Sequence, residues 1–147
     1  MDNKPSEAEH IYIDEDNIPR DKHIENLFRD LYSGVPLDEL FRNNFEVYVQ
    51  ELLKDKSYRV PRGVFIDADT ALNWAVANIG TIRVQELRKP LPDNLRWSAK
   101  ITTDYVRSVP TVHAPHKLHA ILLTVVFVCR AIATSRLNDF FKEAING

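Results

Sequence analysis

Residues 118–145 form the most apolar stretch of the chain, LHAILLTVVFVCRAIATSRLNDFFKEAI, and they contain neither Gly nor Pro. A run of this length without a breaker favours one long helix. Its apolar first half, residues 118–128, must be buried in any compact fold. Val125, Val126 and Val128 are β-branched, so a buried strand is the alternative for this half. The sequence therefore predicts a central helix around which the remaining segments pack.

The same run is too short to cross a membrane. A transmembrane helix needs about 20 predominantly apolar residues, whereas Lys117, His119 and Arg130 bound the apolar part here. The N-terminal decapeptide MDNKPSEAEH has neither the basic start nor the apolar core of a secretory signal. We therefore expect a soluble intracellular protein, cytoplasmic or nuclear, that does not associate with membranes. The single Cys129 lies within the apolar run, which predicts a buried and unreactive thiol.

The net charge of −2 conceals an uneven distribution along the chain. Residues 1–53 carry 13 acids and 5 bases, residues 54–107 carry 10 bases and 6 acids, and residues 108–147 carry 4 bases and 2 acids. The chain thus begins strongly acidic and becomes basic in its middle. Such a split predicts either an acidic arm that folds back on a basic surface or two surfaces for different partners.

Three helices can be placed from apolar spacing and capping residues. In residues 21–32 the apolar positions recur at three- and four-residue intervals, with Asp21 as a cap and Gly34 as a stop. Residues 36–53 begin at Pro36 and have a wide apolar stripe. Asp67 or Asp69 caps a third helix, which ends at Gly80. The short link between the first two helices predicts antiparallel neighbours.

Two segments between residues 81 and 109 are ambiguous. Residues 81–87 fit a short helix or a strand, and residues 95–109 fit both a four-residue helical spacing and a strand alternation. Asp93 and Asn94 are good caps, so a helix is favoured for 95–109. The predicted fold class is all-α, a bundle of about five or six helices around the C-terminal helix, formed by residues 21–147 after a flexible acidic arm at 1–20. The alternative is α+β, with strands near 58–66, 82–88 and 95–106.

The acidic arm contains one apolar island, Ile11-Tyr12-Ile13, followed by three acids. An extended peptide of this kind can add a strand to the edge of a partner's sheet. The pattern resembles the SUMO-interacting motifs of eukaryotic proteins, and that resemblance implies a protein partner. The apolar C-terminal pair is a second candidate contact, so the predicted partner-binding residues are Ile11, Tyr12, Ile13, Asp14, Phe140 and Phe141.

The string from Val64 to Ala71, VFIDADTA, resembles the first motif of haloacid-dehalogenase-type phosphohydrolases. The resemblance implies Asp67 as nucleophile and Asp69 as general acid/base, with Mg²⁺ on the carboxylates. The chain has Ala71 where that motif ends in Thr, and no acidic pair follows on a later strand. A phosphohydrolase is therefore the third functional hypothesis, and helix capping is the preferred account of both carboxylates. No catalytic residue is assigned.

Three histidines recur at three-residue intervals, His113, His116 and His119. Steps of three rotate about 300° on a helix, so the outer imidazoles diverge, and no nearby acid or thiol completes a tetrahedral set. The prediction is therefore no metal site and no cofactor.

Basic residues interspersed with aromatics in the middle of the chain are typical of nucleic-acid-binding surfaces. The favoured function is nevertheless a non-catalytic interaction or adaptor domain that binds a protein partner through a helical surface and the acidic arm, as a homodimer or as part of an obligate complex. RNA or DNA binding is the alternative, with the candidate residues Arg83, Arg88, Lys89, Arg96, Lys100 and Arg107.

Overall fold

The computed structural model describes residues 22–88 and 92–146, except for the side chains of Asp93 and of residues 134–146. Within those residues the chain forms four α-helices, a three-stranded antiparallel sheet and two 3-10 turns. In chain order these are α1 (Lys22–Ser33), α2 (Glu39–Leu53), a 3-10 turn (Arg62–Phe65), α3 (Ala68–Asn78), β1 (Thr81–Glu86), a 3-10 turn (Asp93–Leu95), β2 (Trp97–Thr102), β3 (Val112–Ala114) and α4 (Lys117–Asn146).

Local signals in the sequence set the bounds of α1 and α2. Helix α1 gives way to Gly34, whose φ of 71° suits glycine, and a Cβ there would lie 2.9 Å from the Cγ atom of Pro115. Helix α2 begins at Asp38, whose carboxylate accepts a hydrogen bond of 2.9 Å from the backbone N–H of Phe41. It ends where Lys54 adopts a left-handed conformation.

Helix α4 is the centre of the molecule, as predicted. Its apolar half is almost completely buried, with Ala120, Ile121, Leu122, Leu123, Val125, Val126 and Val128 each exposed by 1% or less. Helix α1 runs against it, and the rings of Phe28 and Phe127 meet edge to face at 4.8 Å. The structure therefore rejects a strand for residues 118–128. No helix of the described residues has both the length and the apolar content needed to cross a bilayer.

The sheet has the order β1-β2-β3, with both pairs antiparallel. In the register, Ile82 lies opposite Ile101 and Val84 opposite Ala99, so these four side chains share one face. That face is the inner one, since Ile82, Ala99 and Ile101 are buried and both β2 and β3 contact α4. The other face carries the alternate side chains.

The all-α prediction is wrong, because the described chain is α+β. Residues 95–109 do not form a helix. Asp93 begins only a three-residue 3-10 turn, and Trp97–Thr102 then form the central strand. The α+β alternative places two strands near their observed positions. Its third, at 58–66, is absent from the described structure, since Arg62–Phe65 form a 3-10 turn, and the third strand instead lies at Val112–Ala114.

Candidate functional site

The outer face of the sheet carries the polar half of each alternating strand. Odd positions of β1 and even positions of β2 share this face, because each residue lies opposite a fixed partner in the antiparallel register. His113 of β3 joins them opposite Ser98. The outer-face residues are Thr81, Arg83, Gln85, Ser98, Lys100, Thr102 and His113.

Two cations stand directly opposite each other at the centre of this face. Arg83 pairs with Lys100 in the register, and Thr81 pairs with Thr102 beside them. All four side chains are exposed and line a hollow of about 220 Å³. We call these four residues the basic sheet face. It offers two positive charges and two hydroxyl groups at one surface concavity.

The charges of the basic sheet face are not neutralised within the described part of the chain. Neither Arg83 nor Lys100 has an ion pair or a hydrogen bond to another described side chain. Like charges directly opposite on an antiparallel pair destabilise it, by on the order of 0.2–1 kcal/mol. The fold thus keeps an unfavourable arrangement that a bound anionic group would relieve.

Strand β1 is also an edge strand of the described sheet. The N–H of Leu87 donates to the carbonyl oxygen of Arg96 at 2.8 Å, and this pair continues the β1–β2 register. Hydrogen-bonded pairs alternate along an antiparallel ladder. Positions 81, 83 and 85 therefore bond to β2, whereas Ile82, Val84 and Glu86 direct their backbone groups away from it. We call the backbone of these last three residues the β1 edge.

The structure unites only part of the predicted nucleic-acid surface. Arg83 and Lys100 meet on the basic sheet face, but Arg96 pairs with Glu86 at 3.5 Å. Arg88 is exposed just beyond β1, and Arg107 is exposed in the loop after β2. Lys89 lies outside the described residues. The helix favoured for residues 95–109 would have carried Arg96, Lys100 and Arg107 along one side, but a strand and a loop replace that helix.

The sequence places aromatic residues among the cations of the middle segment, but in the structure Trp97 and Tyr105 do not lie beside Arg83 and Lys100. Trp97 lies on the inner face, half-buried, with the Lys117 ammonium 5.9 Å from its ring centroid. Tyr105 is 38% exposed but follows β2 in a loop. The only described aromatic ring on the outer face of the sheet is the half-buried imidazole of His113, opposite Ser98. Base stacking on this face therefore has no described Trp, Tyr or Phe platform.

The two carboxylates of the VFIDADTA string have separate structural roles. Asp67 caps α3, and its carboxylate accepts hydrogen bonds from the Thr70 hydroxyl at 2.8 Å and the Thr70 N–H at 2.9 Å. These bonds, led by that of the hydroxyl, lower the pKa of Asp67. Asp69 is exposed and lies 3.5 Å from the Lys117 ammonium. A 3-10 turn precedes the string where the phosphohydrolase resemblance requires a strand.

The three histidines fall in different environments. His113 is in β3, and His116 immediately precedes α4, where the His119 ring lies 5.2 Å from its own. His119 is buried, and its Nε2–H donates to the carbonyl oxygen of Val35 at 2.7 Å. Its Nδ1 is buried and has no hydrogen-bond partner among the described residues. Burial lowers the pKa of His119, and the neighbouring His116 adds to that effect.

The predicted partner-binding residues cannot be placed. Ile11, Tyr12, Ile13 and Asp14 lie outside the described residues, and so do the side chains of Phe140 and Phe141. The acidic arm proposed for residues 1–20 also lies outside. These assignments remain predictions.

A second surface lies on α2. Leu40 and Val47 are 64% and 54% exposed, although Leu40 belongs to the apolar stripe of residues 36–53. Val47 also lines an open hollow of about 570 Å³ near the end of the helix. Behind α2, Cys129 is buried, and this burial raises the pKa of its thiol to about 12, as expected for an unreactive cysteine.

Sequence reasoning missed the hydroxyl and amide residues of the outer face, because it assigned a helix to residues 95–109. The signal was present, since Thr81 to Gln85 and Ser98 to Thr102 both alternate polar with apolar side chains. Comparison with known proteins adds no functional information: no family model, curated protein or solved structure matches this chain.

Proposed function

We propose that this protein is a non-catalytic binding module that takes up an extended acidic segment of a partner protein along the β1 edge. The carboxylates of that segment lie against the basic sheet face. One observation carries the proposal: Arg83 and Lys100 face each other without a neutralising partner in the described chain, next to an edge strand.

The β1 edge supplies the main-chain part of the recognition. Ile82, Val84 and Glu86 each direct one N–H and one C=O away from β2, and a peptide backbone is the complement of that alternating row. Successive side chains of an added strand point to opposite faces of the sheet. Alternate residues of the partner therefore reach the outer face beside Arg83.

The inner side of an added strand meets apolar surface. Ile82 is buried, and Val84, one pair further along the same face, is only half-buried. An apolar side chain from a neighbouring strand would complete the cover of Val84. The expected partner sequence consequently alternates apolar with acidic or polar residues.

A protein partner is favoured over a nucleic acid by two features. The outer face has no described Trp, Tyr or Phe ring on which a base could stack, and its one imidazole, His113, is half-buried. The β1 edge presents donors and acceptors in alternation, whereas a phosphodiester chain offers a row of acceptors alone. The two cations would still attract phosphate, so nucleic acid must be tested directly.

Charged residues on an edge strand have another known role, because they hinder unwanted pairing between the sheets of different molecules. That role predicts no affinity for acidic peptides. A binding measurement therefore separates the two accounts.

The test uses fluorescence anisotropy of a labelled peptide with alternating Val and Thr followed by three Glu. We expect binding by the full chain that weakens as salt rises to about 0.5 M. A double charge reversal, Arg83→Glu with Lys100→Glu, should weaken binding by at least about tenfold, or about 1.4 kcal/mol. The matched control is Arg62→Glu with Lys56→Glu, the same charge change at two exposed positions away from the sheet.

Two further probes define the partner class. A peptide with three Lys in place of the three Glu should not bind. A labelled oligothymidylate should bind more weakly than the acidic peptide. Equal loss of peptide binding in the sheet variant and its control would contradict the proposal, and tighter binding of the oligothymidylate would favour the nucleic-acid alternative.

A further inference from the structure

We infer that the β1 edge is the docking site for residues 11–16 of a second copy of this chain, so that two copies exchange their N-terminal arms. This inference rests on the proposed function and names the segment bound. Residues 11–16 have the sequence IYIDED and lie outside the described structure.

The alternation of this segment matches the two faces of the sheet. In an extended strand Ile11, Ile13 and Glu15 point to one side, and Tyr12, Asp14 and Asp16 point to the other. Pairing with the β1 edge in one register brings the isoleucines to the inner side, beside half-buried Val84. The same register brings the two aspartates to the outer side.

Charge complementarity supports the same docking. On the outer side the aspartates of the arm neighbour Arg83, with Lys100 directly behind it on β2. Residues 1–21 contain seven acids against Lys4 and Arg20, a net charge of −5, which leaves +3 for the rest of a chain whose total is −2. A shift of the arm by one residue would bring the isoleucines onto the charged face, so the register is well specified.

The attachment point of the arm favours donation by another copy. Only residues 17–21 connect Asp16 to Lys22, the start of α1, and these steps span at most about 20 Å when extended. Helix α1 contacts β3, at the opposite edge of the sheet from β1. Its end approaches Pro115, before the start of α4, whereas Phe28 already lies beside Arg130. The start of α1 at Lys22 therefore lies further along α4. It is away from the N-terminal end of α4, where Lys117 contacts Trp97 of β2.

Exchange between copies is reciprocal. Each copy has one arm and one β1 edge, so a two-fold dimer satisfies both edges with the same contact made twice. Such closure also covers the β1 edge of each copy, and uncovered edge strands are otherwise sites of uncontrolled association. The inference thus predicts a dimer held partly by charge.

The experiment measures the mass of the full-length chain by sedimentation velocity over a concentration series. We expect the wild type to approach twice its 17.0 kDa mass, with a dissociation constant that rises with salt. In each of two variants the dissociation constant of the dimer should be at least about tenfold higher than in the wild type. One reverses the arm, Asp14→Arg with Asp16→Arg, and the other reverses the basic sheet face, Arg83→Glu with Lys100→Glu.

Mixing those two variants supplies the decisive measurement. In a mixed dimer the basic arm of one copy meets the acidic face of its partner, while the acidic arm of the partner meets the unchanged basic face. The mixture should therefore recover the dimer at concentrations at which each variant alone is monomeric. The matched control for the arm is Glu7→Arg with Glu9→Arg, which makes the same charge change outside residues 11–16 and should leave the dimer intact.

Three results would overturn the inference: a wild type that stays monomeric at every concentration, arm or face variants that dimerise as the wild type does, or a mixture of the two that stays monomeric. A monomer in which the arm variant binds the acidic probe peptide more tightly than the wild type would instead show docking of the arm within one copy. Failure of the proposed function is distinguishable, because a monomeric wild type that still binds the probe peptide retains that function without arm exchange.

Discussion

The two faces of β2 have the same backbone and opposite roles. On the inner face Ala99 and Ile101 are each 1% exposed and pack into the core with α4. On the outer face Lys100 and Thr102 are exposed, and Lys100 faces another cation. Residues one position apart thus differ completely in what they contribute. The inner residues hold the fold together, whereas the outer ones leave a local electrostatic conflict that suits a binding surface.

The largest expected effect belongs to the inner face. Ile101→Ala should lower the free energy of unfolding by about 2–5 kcal/mol, because it removes buried methyl groups and leaves a cavity against neighbours that relax only in part. Urea denaturation followed by circular dichroism measures the change. Thr102→Ala, at the next position on the outer face, is the control and should change stability by less than about 0.5 kcal/mol. An equal loss of stability in Ile101→Ala and Thr102→Ala would contradict the distinction between the inner and outer faces.

Asp67→Ala sharpens the comparison, since Asp67 is exposed and yet contributes to stability. Loss of its hydrogen bonds to Thr70 should lower the free energy of unfolding, by less than the loss expected for Ile101→Ala. Asp67→Asn keeps an oxygen acceptor and should retain most of the stability. If phosphatase activity is present in the wild type and lost in Asp67→Asn, the capping account of this residue is incomplete.

His119 tests a polar group buried inside the fold. Because burial lowers its pKa below the ordinary value of 6.5, the unfolded chain takes up a proton at mildly acidic pH before the folded chain does. The free energy of unfolding should therefore fall as the pH drops below about 6.5. His119→Gln retains an N–H donor for Val35 but cannot titrate, so its stability should depend less steeply on pH between 7 and about 5. An unchanged slope would assign the pH dependence to other groups.

The smallest effect is expected on the outer face, and its sign is opposite. Lys100→Glu places an acid directly opposite Arg83, so the free energy of unfolding should rise by about 0.2–1 kcal/mol. The same variant should bind the acidic peptide less tightly. A gain of stability together with a loss of binding is not expected of a residue that serves only the fold. If Lys100→Glu lowers both the stability and the peptide affinity, Lys100 has a structural role that its contacts do not show.

Local signals were sufficient wherever a segment carried its own start, stop and apolar face. The helices that became α1, α2 and α3 were located from Gly34, Pro36 and Asp67 and from their apolar spacing, although α2 begins at Glu39, after its cap Asp38, and not at Pro36. The central position of residues 118–128 followed from their composition alone, because no other arrangement buries so much apolar surface. Leu40 shows what apolar spacing does not predict. It lies on the apolar stripe of α2 and is nevertheless exposed, because the core does not extend to it.

The sheet was misjudged where two periodicities coincide. Trp97, Ile101 and Tyr105 are spaced for a helix, while Trp97, Ala99 and Ile101 also alternate for a strand. A helical turn does begin at Asp93, but it ends after three residues. Partners from distant parts of the sequence decide the outcome, since Trp97 pairs with Glu86 on one side and with Ala114 on the other.

The sequence by itself determined the helices, the buried centre and the separation of an acidic start from a basic middle. Those properties depend on neighbouring residues or on composition. Only the tertiary structure decided that Arg83 and Lys100 stand face to face and that β1 forms an edge. A strand acquires its faces and its edges from the strands beside it, and their register is fixed by contacts between residues far apart in the chain.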